Sequence, residues 1–314
     1  MRLLFAGTPD VATPALDALI HSDHEVVAVL TRPPARVGRK RVLTPSPVQQ
    51  RATDLGIAVI TSDSPHEEPT LAQLRSLSFD CAAVVAYGAL LREPALSLPP
   101  GGWVNLHFSL LPAWRGAAPV QRALMAGEDV VGATTFRIEA GLDSGPVYAT
   151  MTQRVHPTDT AGDLLATLAT AAAPLLVSTM DAIADGSAHP VRQPTDGVTW
   201  APVLTSADAA IDWNLPAHVV DTRIRGLTPT PGAWTTYQGS RFKIGPVRPA
   251  QESIDLNPGV VQVRDGQVLV GTGTDAVRLT DLAPPGKSWM SAQAWARGAR
   301  IEQPWSFDPS QKEV

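Results

Sequence analysis

Asn105 and His107 stand two residues apart at the end of a short apolar run, and the chain then enters a proline-stiffened stretch, Ser109-Leu110-Leu111-Pro112-Ala113-Trp114-Arg115-Gly116-Ala117-Ala118-Pro119. On an extended chain residues i and i+2 point to one side, so the carboxamide and the imidazole share a face. Asp143 follows between glycines, in Gly141-Leu142-Asp143-Ser144-Gly145, within reach of the histidine from a neighbouring loop. The three side chains offer a hydrogen-bond donor, a proton carrier and an anionic orienter. Acyl-type transfer to an amine needs that set: one group holds the developing oxyanion and another manages the amine's proton. Each residue also has a plainer reading. Taken singly, the histidine reads as a core or capping residue, the asparagine as a strand-end residue and the aspartate as an Asx-turn.

The elements that must position these residues follow from hydrophobic patterning. Short buried strands at 2–6, 25–31, 57–60, 80–85 and 103–107 alternate with helices near 13–20, 46–55 and 70–77. That alternation predicts an α/β fold, a doubly wound and mostly parallel sheet covered on both faces. Ligands in such sheets gather beyond the carboxyl ends of the strands, where Asn105 and His107 fall. Extended runs at 132–138 and 147–155 bracket the Asp143 loop and predict an antiparallel pair at the sheet edge. One long alanine-rich helix is expected over 160–185. Residues 187–207, rich in Pro, Ser, Thr and Asp, read as a linker. After a helix near 216–225 come five short strands, with Asp265-Gly266 as a hairpin turn between two of them. The expected organisation is therefore a catalytic domain over 1–186, a linker over 187–207 and a smaller carboxyl-terminal domain over 208–314.

Composition removes several classes. With Lys+Arg 25 against Asp+Glu 30, the net charge of -5 argues against a protein whose whole surface coats a polyanion. Any nucleic acid must meet a local patch. Such a patch exists: residues 26–53 contain no acid, while Arg32, Arg36, Arg39, Lys40, Arg41 and Arg51 accumulate there. From Thr205 onward eleven basic residues balance eleven acidic ones, so charge gives that region no separate signal. The single cysteine, Cys81, excludes an internal disulfide framework and a thiolate-rich zinc site. No close histidine cluster is present, and no metal is expected. Gly7-Thr8-Pro9 after the first strand lacks the G-x-G-x-x-G pattern, with proline where a phosphate-cradling glycine is wanted, so a nicotinamide cofactor is not expected. No segment reads as the ~20 apolar residues that span a bilayer, and no secretory signal is visible. The cytoplasm is the expected compartment, with no membrane partner.

The run N-x-H-x-S-L-L-P-x-x-R-G-A-A-P with a downstream G-L-D-[ST]-G resembles the folate-dependent formyltransferases, in the branch that acts on methionyl-tRNA. The similarity extends through Phe5-Ala6-Gly7-Thr8-Pro9, Pro45-Ser46-Pro47, Val85-Ala86-Tyr87-Gly88, Ile211-Asp212-Trp213 and Gly286-Lys287-Ser288-Trp289-Met290, and so covers nearly the whole chain. The resemblance implies that 10-formyltetrahydrofolate is the formyl donor and that initiator methionyl-tRNA is the acceptor. It also implies a carboxyl-terminal β-barrel of the OB type that binds tRNA, and a monomer. By the same resemblance Asn105 and His107 stabilise the oxyanion, Asp143 orients the histidine and supports amine deprotonation, and Ser109, Leu110, Leu111 and Pro112 contact the folate. Arg36, Arg39, Lys40 and Arg41 would enter the acceptor-stem region of the tRNA. Phe108 departs from the family, where a small residue usually stands. Two rival readings remain at this point. One keeps the catalytic trio but changes the acceptor to an amino sugar nucleotide, glycinamide ribonucleotide or water; the other is a non-catalytic RNA-binding protein.

Overall fold

The structure is a computed structural model that describes residues 1–38, 40–250, 253–299 and 305–309. Arg39 lies outside the described residues. The chain divides into two compact units. The first comprises Met1–Pro119, Val130–Arg154 and Leu165–Pro202; the second comprises Val120–Asp129, Val155–Leu164 and Val203–Val314.

The first unit is built on β1 (Arg2–Gly7), α1 (Thr13–Ile20), β2 (Glu25–Thr31), β3 (Ala35–Val37), β4 (Val42–Thr44), α2 (Pro47–Asp54), β5 (Val59–Thr61), α3 (Thr70–Ser76), β6 (Cys81–Val85) and β7 (Trp103–His107). Along the chain follow α4 (Pro119–Met125), which belongs to the second unit from Val120, then β8 (Val130–Arg137), β9 (Val147–Arg154), α5 (Ala161–Ala171) and α6 (Ala173–Ala184). Seven strands form one sheet in the order β5-β2-β1-β6-β7-β8-β9, parallel through β7 and antiparallel across β7-β8 and β8-β9. The central strands β1 and β6 are apolar and almost wholly buried, as a sheet covered on both faces requires. Strand β9 alternates half-buried and exposed residues, as an edge strand does. The chain builds outward from β1 to one side and then returns to the other through β6 and β7, which leaves a crevice at their carboxyl ends. Ser46 caps α2, its Oγ accepting from Gln49 N at 3.0 Å, with Pro47 at the first helical position.

Three differences from the sequence reading have local causes. The long helix is split at Ala172, just before Pro174, whose ring cannot share the preceding turn's hydrogen bonding. Together residues 161–184 average a hydropathy of 1.5 over their most apolar window, so by length and composition alone this stretch could cross a bilayer, contrary to the expectation that no segment would. Here α6 is a core helix: Leu176 and Met180 are buried, and Thr179 Oγ1 lies 2.8 Å from Thr135 Oγ1 of β8. The stretch 187–202 does not run free as a linker would. Val191 exchanges backbone hydrogen bonds with Val147 at 2.7 and 2.8 Å, and Ala201 N donates to Arg115 O at 2.7 Å.

The second unit contains α7 (Ala217–Leu227), β10 (Trp234–Tyr237), β11 (Ser240–Ile244), β12 (Val247–Pro249), β13 (Val260–Arg264), β14 (Gln267–Val270), β15 (Val277–Leu279), β16 (Asp281–Ala283), β17 (Met290–Ser291), α8 (Ala292–Ala299) and β18 (Trp305–Ser306). Its strands are antiparallel and lie in two sheets, β10-β11-β16-β17 and β12-β15-β14-β13-β18. The expected fold class holds, but the five strands read from sequence become nine among the described residues. The stretch 277–283 holds two strands rather than one, because the chain passes from one sheet to the other at Thr280, whose hydroxyl donates to Pro246 O at 2.6 Å. Asp265 (φ 50) and Gly266 (φ 72) make the two-residue turn between β13 and β14, with Arg264 opposite Gln267. Trp213, Phe242, Ile244, Val261, Val270 and Phe307 centre the buried core.

Candidate active site

Strand β7 ends in the crevice, and there the alternation predicted from sequence is met. Asn105 and His107 both line a cleft of about 530 Å³, with Asp143 opposite them in the loop between β8 and β9. The size suits a drug-sized organic ligand. Its walls come from residues 86–91 after β6 and residues 138–142 after β8, together with Phe108, Gly116, Ala117 and Pro119.

His107 is buried, its ring edge-on to Phe136 at 6.3 Å between centroids. Its Nε2 lies 3.0 Å from Trp114 O, a carbonyl that can only accept, so Nε2 carries the proton in the neutral ring. The lone pair is then on Nδ1, which faces Asp143 Oδ2 at 3.8 Å. That gap is too long for a hydrogen bond and short enough for strong attraction to an imidazolium. Burial holds the His107 pKa below the ordinary histidine value; Asp143 and the Trp114 carbonyl oppose the shift without cancelling it. The resting ring is therefore neutral near pH 7, and a second proton, taken on Nδ1, would face the Asp143 carboxylate. The Asn105 carboxamide is half-buried at the cleft wall and has no hydrogen-bond partner among the described residues, which leaves its N–H donors for a ligand.

The loops around this centre are held in uncommon conformations. Asp143 (φ 46), Trp114 (φ 61) and Ala86 (φ 48) all adopt the left-handed region without being glycine. Gly116, at φ +125, packs so tightly that a Cβ would lie 2.6 Å from Ala201 O, and its N–H donates to Asp143 Oδ2 at 2.8 Å. Gln193 donates to Asp143 O and Gly145 O, each at 2.8 Å. Thr8, from the turn after β1 that lacks the dinucleotide pattern but shares the family resemblance, donates its hydroxyl to Tyr87 O at 2.7 Å and so anchors the 86–91 wall.

Ser109, Leu110, Leu111 and Pro112 do not line the cleft. The Ser109 hydroxyl donates to Ala113 O at 2.7 Å, Ser109 O accepts from Thr134 Oγ1 at 2.6 Å, and Leu111 N donates to the same hydroxyl at 3.2 Å. The loop is thus tied to β8 through Thr134. Residues 86–91 and 138–142, which do form the walls, were passed over because they are largely apolar or present backbone. The Val85-Ala86-Tyr87-Gly88 match and the Gly141-Leu142 start of the Asp143 motif were the signals that touched them.

The basic stretch forms the hairpin β3-β4, with Arg36 opposite Leu43. Arg36, Lys40 and Arg41 are exposed, and the apolar Val37, Val42 and Leu43 beside them are 55%, 58% and 62% exposed. Arg32 and Arg51 leave this patch: they pair with Asp63 and Asp17, each at 2.7 Å. In the second unit Arg225 is buried, bound to Asp221 Oδ2 at 2.8 Å and Asp159 O at 3.0 Å, so it is not free to face RNA. Arg241 stacks over Trp234 at 4.1 Å on the exposed side of β11, two residues from Lys243.

An α/β sheet unit with an amide donor, a buried imidazole and a carboxylate around one cleft, followed by an antiparallel β unit, is what the resemblance to formyl transferases leads one to expect. The chain belongs to the formyl transferase family: that family's model matches residues 1–180, and the model for the formyl transferase C-terminal domain matches residues 203–300. The chain is 57% identical over 302 residues, 96% of its length and 97% of the other's, to the methionyl-tRNA formyltransferase of Streptomyces griseus. It is 57% identical to the methionyl-tRNA formyltransferase of Mycobacterium sp. (strain KMS), covering 96% of this chain and 98% of that one. Among solved structures, an N-formyltransferase from Helicobacter canadensis, in complex with folinic acid and dTDP-3-aminofucose, aligns with a TM-score of 0.67 at 16% identity, over 88% of this chain and 97% of that one. That likeness is one of fold.

Proposed function

We propose that this chain transfers the formyl group of 10-formyltetrahydrofolate to the α-amine of methionine carried on initiator tRNA. The observation that carries the reading is the meeting of Asn105, His107 and Asp143 on one cleft at the strand ends. Full-length relatives at 57% identity that bear the methionyl-tRNA formyltransferase name support this acceptor over an amino sugar, glycinamide ribonucleotide or water. A formyl transferase requires chemistry at its centre, which disfavours a non-catalytic RNA-binding role.

The apolar walls at 86–91 and 138–142 take the flat pterin of the folate-type donor and direct its formyl carbon toward Asn105. The methionyl amine attacks that carbon, the carbon-nitrogen bond forms, and the formyl oxygen becomes an oxyanion that accepts the Asn105 N–H. The amine proton passes to the His107 lone pair, and Asp143 stabilises the resulting imidazolium. The same proton returns to the folate nitrogen as its bond to carbon breaks, so no net proton is consumed. Ser109–Pro112 act indirectly, tying the chain that follows Phe108 to Thr134 of β8. Arg36, Lys40 and Arg41 on the β3-β4 hairpin meet the phosphates of the acceptor stem, and Arg39, outside the described residues, belongs to the same basic run. The carboxyl-terminal unit supplies the remaining grip on the tRNA. Because the acceptor is an aminoacyl-tRNA, the site of action is the cytoplasm.

The test is formylation from 10-formyltetrahydrofolate with initiator methionyl-tRNA, elongator methionyl-tRNA and free methionine in parallel. Strong preference for the first is expected. Equal use of free methionine would sink the tRNA assignment, and no transfer to any amine would sink the chemistry.

A further inference from the structure

We propose that Gln193 is a positioning residue for the transfer, holding Asp143 in line with His107 from a segment outside both catalytic loops. This rests on the formyl-transfer reading above. A carboxamide has two donor hydrogens and an oxygen with two acceptor sites, and all are used here. Oε1 accepts from Arg115 Nη2 at 2.6 Å and from Arg115 Nε at 3.2 Å, while Nε2 donates to Asp143 O and Gly145 O at 2.8 Å each. The amide plane therefore locks the Arg115 loop to the Asp143 loop.

Asp143 is gripped at both ends. Gln193 holds its carbonyl, Gly116 N holds its carboxylate at 2.8 Å, and the backbone between them is kept at φ 46. Six to eight residues further on, the same segment fixes the other acceptor that faces the imidazole. Thr199 Oγ1 accepts from Trp114 N at 2.8 Å, Thr199 O accepts from Arg115 N at 2.9 Å, and Ala118 N donates to Ala201 O at 3.0 Å. Trp114 O in turn receives His107 Nε2–H. One short stretch, 193–201, which turns at Gly197, thus places both acceptors of the catalytic ring: Trp114 through Thr199 and Asp143 through Gln193. No charge-bearing group of this stretch touches the ring, so its action on chemistry passes through geometry alone.

The test uses the full chain carrying Gln193→Ala or Gln193→Glu. The glutamate still accepts from Arg115 and has no N–H for the two carbonyls, so it separates the Arg115 link from the hold on Asp143. For both variants kcat should fall about 10- to 100-fold while KM for the folate donor stays within about threefold, as expected for a small displacement of a catalytic group. The His107 imidazole, followed by NMR without any substrate, should titrate at lower pH than in the wild type, because Asp143 raises its affinity for a proton and would drift away. That titration remains readable even if the acceptor proves to be something other than methionyl-tRNA. Wild-type kcat in Gln193→Glu would overturn the proposal, assigning the contact to Arg115 alone. A fall in kcat with lowered thermal stability and an unmoved His107 titration would also overturn it, since that is the mark of a merely structural residue.

Discussion

Replacing Asp143 by asparagine removes one charge from the centre and little volume. In the native site the carboxylate lies 3.8 Å from Nδ1, and its side chain is 14% exposed. At that separation and an effective dielectric near 20, the attraction to an imidazolium is about 4 kcal/mol. Solvent at the exposed edge and the Gly116 N–H, which already offsets part of the carboxylate charge, reduce what the transition state gains. With 1.36 kcal/mol for each tenfold in rate, kcat should fall between about 10² and 10³. The asparagine oxygen can still accept from Gly116 N, so the loop and the thermal midpoint should change little. The acid limb of the kcat profile should move as well. Asp143 raises the His107 pKa against the larger effect of burial, so without it the base stays deprotonated to lower pH and the limb shifts downward. Single-turnover formylation across pH, with donor and acceptor saturating, reads both quantities. A loss below about threefold, or a limb that stays in place or moves upward, would refute the charge-pair argument.

Asn105→Ala deletes the carboxamide left available at the cleft wall and should cost about 10² to 10³ in kcat with native circular dichroism, as for other oxyanion donors. Changing Arg36, Lys40 and Arg41 together to alanine should weaken tRNA binding and flatten its dependence on log salt by about 0.7 to 0.9 for each phosphate no longer neutralised, with folate affinity unchanged; filter binding across a salt series checks this. Cys81 is buried and its thiol is pushed up to about 12 by desolvation, so iodoacetamide should leave the native protein unlabelled and active and should react only after unfolding.

The residues that were legible in the sequence share one property: their signals are local. The i, i+2 spacing of Asn105 and His107 lies within a five-residue strand, and the Asp265-Gly266 turn needs only its two flanking runs. What escaped depends on partners far along the chain. Gln193 sits in a proline-rich stretch that reads as a linker until its bonds to Arg115 and Asp143, 78 and 50 residues away, are seen. How the Ser109–Pro112 loop is held was likewise out of sight, because Thr134, 25 residues on, donates to the Ser109 carbonyl and ties the loop to β8. The passage of the chain between sheets at Thr280 escaped for a related reason. The buried positions Val277, Leu279 and Leu282 nearly continue one alternation across the crossing.

Ala86, Trp114 and Asp143 give the cleft a thermal signature. Left-handed backbone costs a non-glycine residue about 1 to 2 kcal/mol, so the three together hold about 3 to 6 kcal/mol against a whole-domain stability of about 5 to 15. The surrounding sheet supplies the restraint, and the loops are where that energy is released first. On slow heating, catalysis should therefore fade several degrees before the helical ellipticity does, and cooling from that interval should restore activity in full. Substitutions that relax these backbones would raise the temperature of inactivation while blunting turnover, making heat tolerance and speed competing traits of the same three positions.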